Sequence, residues 1–359
     1  MKKILYVSDA ASVHTRRWAE QFRDEGIEVH VASFREAEIP GVQVHKLPTG
    51  GLGRVGYLLA LPALALLARR IRPDVIHAQY LTSYGFLTAA AGLRPRVVTA
   101  WGSDVLISPL QSVLSRFLAS RAVRGADAVT TVAEHMNSAV LALGVPAERI
   151  IAVPFGVDVG RFRPAAIAPP APPPLRLVCT RNFSPVYAVG TLIDALALVH
   201  RKGRAVRVDL VGAGPLRAEL EAQVSDLELN EIVTFHGHVD HARLAELLAT
   251  NHLFVTPARS DGNNVSLNEA MACGCFPIGT DIPANVQWLR DGENGLLYRA
   301  GDVAQLAACI ERAADDTLLR ARAALANRRI VEEYANWRVC VESMKVTYAE
   351  SIARHAARR

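Results

Sequence analysis

The chain has 359 residues, half of them hydrophobic, and a formal net charge of +5. This length exceeds what one hydrophobic core usually organises, so two domains are expected, and the composition excludes a disordered protein. The longest apolar run, from Leu58 to Ala68, contains Pro62 and is too short to cross a bilayer. The N-terminal MKKILYVSDA has no secretory apolar region, and the five cysteines form no metal-binding pattern. We therefore expect a soluble, cytoplasmic protein with buried thiols.

Charge is unevenly distributed along the sequence. Up to Arg163 there are 19 Lys and Arg against 13 Asp and Glu, a net of +6, and the remainder carries a net of −1. A basic first half is compatible with an anionic partner, such as a phosphorylated acceptor or a lipid surface. No basic stripe with interleaved aromatic residues is present, so nucleic acid is not expected as a partner.

The first half alternates short β-rich runs with helical patterns. Helices are predicted over RRWAEQFRDEG, which ends at Gly26, and from Tyr57 to Ile71. Strands are predicted over KKILYVS, EVHVASF, PDVIHAQ, PRVVTAW and ADAVTTVA. This β-α-β rhythm predicts a parallel sheet with helices on both faces.

A proline-rich segment, RPAAIAPPAPPPL, interrupts that rhythm from Arg163 to Leu175 and favours a stiff, extended spacer. We therefore predict a first domain over residues 1–163, a linker over 164–175 and a second domain over 176–336. Strands are predicted again over LRLVCTR, VRVDLVG, EIVTFHG, HLFVTPA and CFPIGT. Two doubly wound α/β domains would place the carboxyl ends of their strands around a central cleft, where open parallel sheets bind ligands.

One strand-to-helix loop of the second domain is unusually polar: SDGNNVSLNEAMACGC, from Ser260 to Cys275. Two interpretations are open. In the first, Ser266 and Glu269 form a capping box and Gly274 ends the helix. In the second, the carboxylates of Asp261 and Glu269 bind sugar and ribose hydroxyls, while N–H groups at the helix N-terminus bind an anion.

The same loop resembles the Glu-x7-Glu element of glycosyltransferase family 4, followed by EAMAxG, with Asp261 and Glu269 as the two acids. The resemblance covers nearly the whole chain. It rests on the order and spacing of further segments: PDVIHAQ, TAWGSD, ADAVTTVAEHM, VPFGVDVGRFRP, VDLVGAGPLRAELE, FHGHV and NGLLY. It implies the GT-B fold, two Rossmann-like domains facing a central cleft, and a retaining, nucleotide-sugar-dependent glycosyltransferase.

The resemblance also implies roles for single residues. Asp261 would bind hydroxyls of the donor sugar, Glu269 the nucleotide ribose and Arg181 the diphosphate. Further donor-binding residues are expected in the glycine loop, beside the base, in the polar loop and at the diphosphate clamp: Gly212, Gly214, Pro215, His238, Val239, Gly262, Asn263, Asn264, Val265 and Tyr187.

Three positions depart from the family pattern. Asp261 stands where the family has Glu, which shortens its reach by one methylene. Tyr187 replaces the lysine of the diphosphate clamp, so that Arg181 keeps the clamp with one charge fewer. Trp101 replaces a histidine that commonly touches the donor sugar, although Asp104 is retained.

An acceptor-side site is expected in the loop after the first strand, SDAASVHTRRW. His14 with Arg16 or Arg17 would bind a phosphate or the acceptor there, and Trp101 would lie on the same side, with Asp104. The alternative for His14 is a packed or surface position. His77, inside a strand, is expected to be a core residue.

The expected chemistry follows from the negative charge that grows on the departing nucleoside diphosphate. Fixed amides, a helix N-terminus and Arg181 would stabilise it. The resemblance implies a metal-independent reaction, and the chain has no Asp-x-Asp motif. We expect front-face attack, in which the leaving phosphate takes the acceptor proton. No cofactor is expected: a UDP- or GDP-sugar is the substrate, and the acceptor is a glycan, lipid-linked or small molecule in polysaccharide or glycoconjugate biosynthesis.

Two alternatives stay open. One is a non-catalytic nucleotide- or sugar-binding protein of the same fold. The other, an NAD-dependent oxidoreductase, would need a third glycine or alanine where Arg217 stands. The C-terminal helix, over about residues 337–359, is expected to cross back onto the first domain, or to touch a membrane surface with its basic end RHAARR.

Overall fold

The computed structural model describes residues 1–49, 56, 59–166 and 171–358. The chain divides into two compact units, one formed by Met1–Phe155 with Val341–Arg359 and the other by Gly156–Cys340. The boundary therefore lies before the predicted one at residue 163. The proline-rich segment belongs to the second unit rather than joining the two units, and its residues 167–170 lie outside the described residues.

The first unit contains a seven-stranded parallel sheet with the strand order β3-β2-β1-β4-β5-β6-β7. Its central strands are buried along their whole length, as expected for a parallel sheet covered on both faces. The strands are β1 (Lys3–Val7), β2 (Glu28–Ser33), β3 (Gln43–Lys46), β4 (Val75–Gln79), β5 (Arg96–Ala100), β6 (Ala128–Thr131) and β7 (Ile150–Ala152).

Between these strands the described part of the first unit contains the helices α1 (Val13–Asp24), α2 (Ala60–Ile71), α3 (Phe86–Ala90), α4 (Ser103–Leu106), α5 (Ser108–Gln111), α6 (Val113–Val123) and α7 (Asn137–Leu141). A π-helical turn, Leu81–Gly85, precedes α3. The predicted helix from Tyr57 begins instead at Ala60, and Tyr57 itself lies outside the described residues.

The second unit contains a six-stranded parallel sheet with the order β10-β9-β8-β11-β12-β13. The strands are β8 (Leu175–Cys179), β9 (Val206–Val211), β10 (Val233–Gly237), β11 (Leu253–Thr256), β12 (Phe276–Thr280) and β13 (Leu296–Tyr298). The helices are α8 (Val189–Arg201), α9 (Arg217–Asp226), α10 (His241–Thr250), α11 (Val265–Ala272), α12 (Pro283–Val286), α13 (Val303–Asp315) and α14 (Thr317–Tyr334). Both sheets have the order of a doubly wound Rossmann-like domain, which confirms the predicted fold class.

Residues after Phe155 belong to the second unit because they are bonded to the end of α14. The N–H of Val157 donates to the carbonyl of Ala335 at 2.6 Å. Arg328 on α14 donates to the carbonyls of Val159 and Phe162 at 2.9 and 2.6 Å. These contacts join residues far apart in sequence, so composition alone could not locate the boundary.

The last helix, α15 (Trp337–Ala356), contributes its residues from Val341 onward to the first unit. The fully buried Tyr348 hydroxyl lies 3.1 Å from that of Tyr6 and 2.6 Å from Nδ1 of His77. The other ring nitrogen of His77 lies 2.5 Å from Oγ1 of Thr99. His77 is therefore a core residue, as predicted. Of the helices in the described part of the chain, none is long and apolar enough to cross a membrane.

Candidate donor and acceptor sites

The polar loop of the second unit runs from the end of β11 to the start of α11. Helix α11 begins one residue before the predicted cap: Oδ1 of Asn264 accepts the N–H of Leu267 at 3.1 Å. Ser266 instead donates its hydroxyl to the carbonyl of Thr180 at 3.1 Å. The predicted capping box is therefore wrong, because asparagine two residues upstream is an equally strong cap.

The end of α11 agrees with the prediction. Gly274 has a φ of 77°, in the left-handed region, and Cys275 donates its N–H to the carbonyl of Ala270 at 3.0 Å. This is the hydrogen-bond pattern of a glycine C-cap. Glu269, in the middle of the helix, is half-buried and has an interaction partner in the structure.

Asn264 is fully buried and uses its whole carboxamide. Its Oδ1 accepts from Leu267 and from Nη1 of Arg181, the latter at 2.8 Å. Its Nδ2 donates to Oγ1 of Thr256 at 3.1 Å and to Oδ1 of Asn285 at 2.9 Å. One side chain thus ties the end of β11, the start of α11 and the segment of α12 to Arg181. Neither Thr256 nor Asn285 was predicted from the sequence as part of this site.

Arg181 and Asp261 form an ion pair in which their side chains are 7% and 15% exposed. The guanidinium also lies over the ring of Tyr187, with its central carbon 4.2 Å from the ring centroid. The sequence comparison with the family identified only a lost charge at position 187. The structure shows that this residue supplies an aromatic face for the remaining arginine, an arrangement that stabilises a partly desolvated cation.

Asn263 is the residue of the loop whose polar groups are least satisfied. It is 7% exposed, and both Nδ2 and Oδ1 are buried without a hydrogen-bond partner among the described residues. Its carbonyl accepts the N–H of Val265 at 2.9 Å. The N–H of Val265, which was predicted to bind the donor, is therefore already bonded inside the loop. Buried polar side chains without a partner are uncommon in folded proteins and point to a ligand or an ordered solvent molecule.

The glycine loop after β9 lies against the segment that carries Arg181. A Cβ on Gly212, which has a φ of 149°, would come within 2.3 Å of the carbonyl oxygen of Arg181, and one on Gly214 within 2.4 Å of that of Phe183. Packing inside the second unit thus accounts for both glycines. Pro215, the next residue, is exposed.

The segment after β10 lies beside this glycine loop, since the N–H of Gly212 donates to the carbonyl of Gly237 at 2.9 Å. His238 is exposed, and Val239 packs partly buried against the hydrophobic core of the second unit. The structure therefore brings together Arg181, Tyr187 and Asp261 directly, with the two predicted base-side residues on a neighbouring loop.

In the first unit, His14 stacks on Phe155 with ring centroids 3.8 Å apart, and Trp101 meets both rings edge-on. Burial, and then the nearby charge of Arg17, lowers the pKa of His14 to about 4. His14 is therefore neutral near pH 7 and contributes a hydrogen-bonding imidazole rather than a charge. Phe155 was not predicted; it follows β7 in the segment VPFGVD, without a polar neighbour that would have drawn attention to it.

The other predicted residues of the first unit separate into different environments. Nη1 of Arg17 lies 3.4 Å from the carbonyl of Phe155, whereas the exposed Arg16 donates to the carbonyl of Glu38. Asp104 is fully buried and accepts three backbone N–H groups, those of Leu81, Trp101 and Gly102. Burial raises the pKa of its carboxyl, and its hydrogen bonds organise the loop after β5.

Comparisons with known proteins match both halves of the chain to family models. Residues 3–133 match a model described as "Glycosyl transferase 4-like", and residues 174–316 match "Glycosyl transferases group 1". The chain is 24% identical to N-acetyl-alpha-D-glucosaminyl L-malate synthase of Bacillus anthracis, over 92% of this chain and 91% of that protein. It is 27% identical to phosphatidyl-myo-inositol mannosyltransferase of Mycobacterium leprae, over 95% and 92%.

Among solved structures, HepE of Anabaena in complex with UDP and glucose superposes with a TM-score of 0.81 at 20% sequence identity. The superposition covers 97% of this chain and 100% of HepE. At this identity, the similarity establishes the fold rather than the ligand.

Proposed function

The chain belongs to glycosyltransferase family 4, and from this premise we propose that it transfers a sugar from a UDP- or GDP-sugar to an acceptor hydroxyl with retention of anomeric configuration. It is a glycosyltransferase with the GT-B fold, and its family acts in polysaccharide and glycoconjugate biosynthesis. The acceptor class that fits the basic first half of the sequence is an anionic or phosphorylated glycan, lipid-linked or small molecule.

The observation that carries the proposal is the unsatisfied carboxamide of Asn263. Its buried Nδ2 and Oδ1 lie in the loop that also holds Asp261, and the loop leads directly into the N-terminus of α11. A carboxamide offers both donors and an acceptor, which is what a sugar with several hydroxyl groups requires. We assign Asn263 and Asp261 to the donor sugar, with the backbone of Gly262 beside them.

Arg181 is assigned to the diphosphate. Its guanidinium is held from three sides, by the Asp261 carboxylate, by Oδ1 of Asn264 and by the Tyr187 ring. Its Nε is buried and has no hydrogen-bond partner among the described residues. A cation that is already oriented needs little reorganisation when charge develops on the leaving group, and this is the largest usual contribution of a site to transition-state stabilisation.

The proposed reaction has one bond formed and one broken at the anomeric carbon. The acceptor oxygen attacks that carbon from the face that the diphosphate leaves, and the electron pair of the broken C–O bond goes to the β-phosphate oxygen. The acceptor proton goes to the same phosphate. The N-terminus of α11 and Arg181 stabilise the negative charge on the phosphate, so that the step needs no bound metal ion.

Glu269 is assigned to the nucleotide ribose, and the segment of His238 and Val239 to the base. On the acceptor side, the neutral imidazole of His14, the ring of Trp101 and the charge of Arg17 are assigned to the acceptor. Asp104 is assigned a positioning role, since its carboxylate already accepts three backbone N–H groups.

A thermal-shift titration with UDP, GDP, ADP, CMP and NAD tests the nucleotide assignment. A ligand at a hundred times its dissociation constant stabilises by about 2.7 kcal/mol, which moves the unfolding midpoint by several degrees. Stabilisation by UDP or GDP alone is expected. Stabilisation by NAD would favour the oxidoreductase, and no stabilisation by any nucleotide would contradict the donor site.

Product analysis tests the chemistry. The anomeric configuration of the transferred sugar, read by NMR coupling constants, is expected to equal that of the donor. Turnover is expected to survive a chelator, and a loss that added divalent cation restores would contradict the metal-independent step. Tight UDP or GDP binding without transfer to any acceptor, and without slow donor hydrolysis, would favour the non-catalytic binding protein.

A further inference from the structure

The short helix α5 and the helix α6 that follows it expose large apolar side chains. We call this surface the α5–α6 apolar face; it consists of Leu110 (84% exposed), Val113 (88%), Leu114 (65%) and Phe117 (59%). The opposite, buried side of α6 is built mainly from small residues, Ala119, Ala122 and Val123. The helix therefore has its larger apolar residues outside, the reverse of a helix that only packs on its own domain.

Contacts on the inner side hold α6 in this orientation. A Cβ added to Gly85 would come within 3.1 Å of the Cβ of Ala122, so the helix lies directly on the preceding π-helical turn. The buried Arg96 donates to the carbonyls of Ala122 and Arg124, each at 3.2 Å, and so binds the C-terminal end of the helix. Turning Phe117 or Leu114 inward would require breaking these contacts.

The charged residues of the segment that forms the face have one sign. From Val105 to Ala126 the sequence contains three arginines, Arg116, Arg121 and Arg124, and no Asp or Glu. All three arginines are exposed. One short helix therefore carries exposed apolar residues together with arginines. This combination matches a bilayer with acidic phospholipids, which has anionic headgroups at its surface and apolar acyl chains beneath them.

We propose that the α5–α6 apolar face docks on an anionic lipid surface. Helix α6 lies in the plane of the interface, with Leu114 and Phe117 below the headgroups and the arginines at the level of the lipid phosphates. A second protein surface would need acidic groups around an apolar centre to match the same face. A bilayer offers both features without a specific partner.

The basic end of α15 is a weaker candidate for membrane contact. Arg354 donates to the carbonyl of Asp127 at 2.9 Å, and Arg358 pairs with the Asp127 carboxylate at 3.1 Å. Two of its arginines are therefore bonded within the first unit. The membrane contact predicted for that end is assigned instead to α6.

Vesicle flotation of the full chain tests the proposal. The protein is expected to float with vesicles of phosphatidylglycerol and phosphatidylcholine in equal parts, and not with phosphatidylcholine alone. The double variant Leu114→Glu/Phe117→Glu is expected to remain at the bottom of the gradient. Arg121→Gln is expected to lower the partition coefficient about fivefold, the effect of one basic side chain near an anionic surface.

Leu325→Glu is the matched control, because Leu325 is 70% exposed on α14 and has no part in the face. It is expected to float like the wild type. Since all substituted residues are exposed, the unfolding midpoint should be unchanged in every variant. Failure of the wild type to float, or equal flotation of the double variant, would overturn the proposal. So would a dimer in sedimentation velocity that the double variant dissociates, with no vesicle binding, since a second copy would then cover the face.

Discussion

The guanidinium of Arg181 lies over the ring of Tyr187, with its central carbon 4.2 Å from the ring centroid, and it also forms an ion pair with Asp261. The family pattern has a lysine at the position of Tyr187. A second cation so close to Arg181 would repel it, whereas an aromatic face attracts it. The substitution therefore gives Arg181 an aromatic face in place of a second cation.

Tyr187→Leu removes that aromatic face. We expect affinity for the nucleoside diphosphate to fall about 2- to 30-fold, the range of a partly desolvated cation–π contact. Isothermal titration with UDP or GDP measures it. Tyr187→Phe keeps the ring and is the matched control, so an equal loss in both variants would show that the phenol hydroxyl, and not the ring, carries the effect.

Asp261→Asn leaves the shape of the loop but removes its negative charge. We expect kcat to fall by about 10²- to 10³-fold, because the carboxylate both orients Arg181 and is proposed to bind the donor sugar. Steady-state kinetics measures it. Asp281→Asn is the control: Asp281 is an exposed acid of the same unit, and its carboxylate accepts the N–H of Ala300 at 3.3 Å. Undiminished turnover of a folded Asp261→Asn protein would remove Asp261 from the mechanism.

Asn264→Ala tests the cap that the structure assigns to α11. It removes the hydrogen bonds that Asn264 makes with Thr256, with Asn285 and with the N–H of Leu267. We expect a loss of about 2–4 kcal/mol in the free energy of unfolding of the second unit, read by chemical denaturation. Ser266→Ala should cost about 1 kcal/mol or less. A larger loss of stability for Ser266→Ala than for Asn264→Ala would instead favour the capping box.

The buried His77 is expected to make the folded protein less stable at acidic pH. Burial lowers its pKa to about 3, so the folded protein keeps the imidazole neutral while the unfolded chain protonates near pH 6.5. The contribution of His77 to the free energy of unfolding is therefore fully present above about pH 6.5. It is lost as the pH falls from there toward 3, by at most about 1.4 kcal/mol per pH unit.

His77→Gln, which can keep hydrogen bonds to Thr99 and Tyr348, isolates this effect. Unfolding midpoints are compared at pH 7.5 and pH 5 for both proteins. The variant is expected to lose less stability on acidification than the wild type, and His14, whose lowered pKa acts in the same direction, cancels in the comparison. Identical acid sensitivity in the two proteins would contradict the assignment.

Arg17 and Arg16 are adjacent in sequence but point to different carbonyls, which makes them a matched pair. Arg17 contacts the carbonyl of Phe155, within the cluster of His14 and Trp101, whereas Arg16 is bonded to Glu38. Arg17→Gln is expected to raise the KM for the acceptor severalfold with little change in the KM for the donor. Arg16→Gln is expected to leave both unchanged, and equal effects of the two would contradict an acceptor role for this cluster.

Much of the fold followed from short-range pattern. The alternation of apolar strands with amphipathic helices predicted both parallel sheets, because buried parallel strands require near-continuous apolar runs and crossover helices between them. The glycine after α11 and the core position of His77 were also readable locally. The domain boundary was not, since hydrogen bonds from Arg328 to Val159 and Phe162 join the segment to α14, far away in sequence.

The same distinction between local sequence pattern and long-range contacts applies to the candidate site. The residue pattern singled out the loop between β11 and α11 but left it open between a helix cap and a ligand site. The resemblance to the family nominated Asp261 and Arg181 as site residues. Their partnerships needed the folded chain: Asn264 caps the helix in place of Ser266, Tyr187 supports Arg181, and Val265 loses its free N–H. Each depends on backbone segments brought together by the sheet, where a difference of a few ångströms decides which of two chemically suitable groups forms the hydrogen bond.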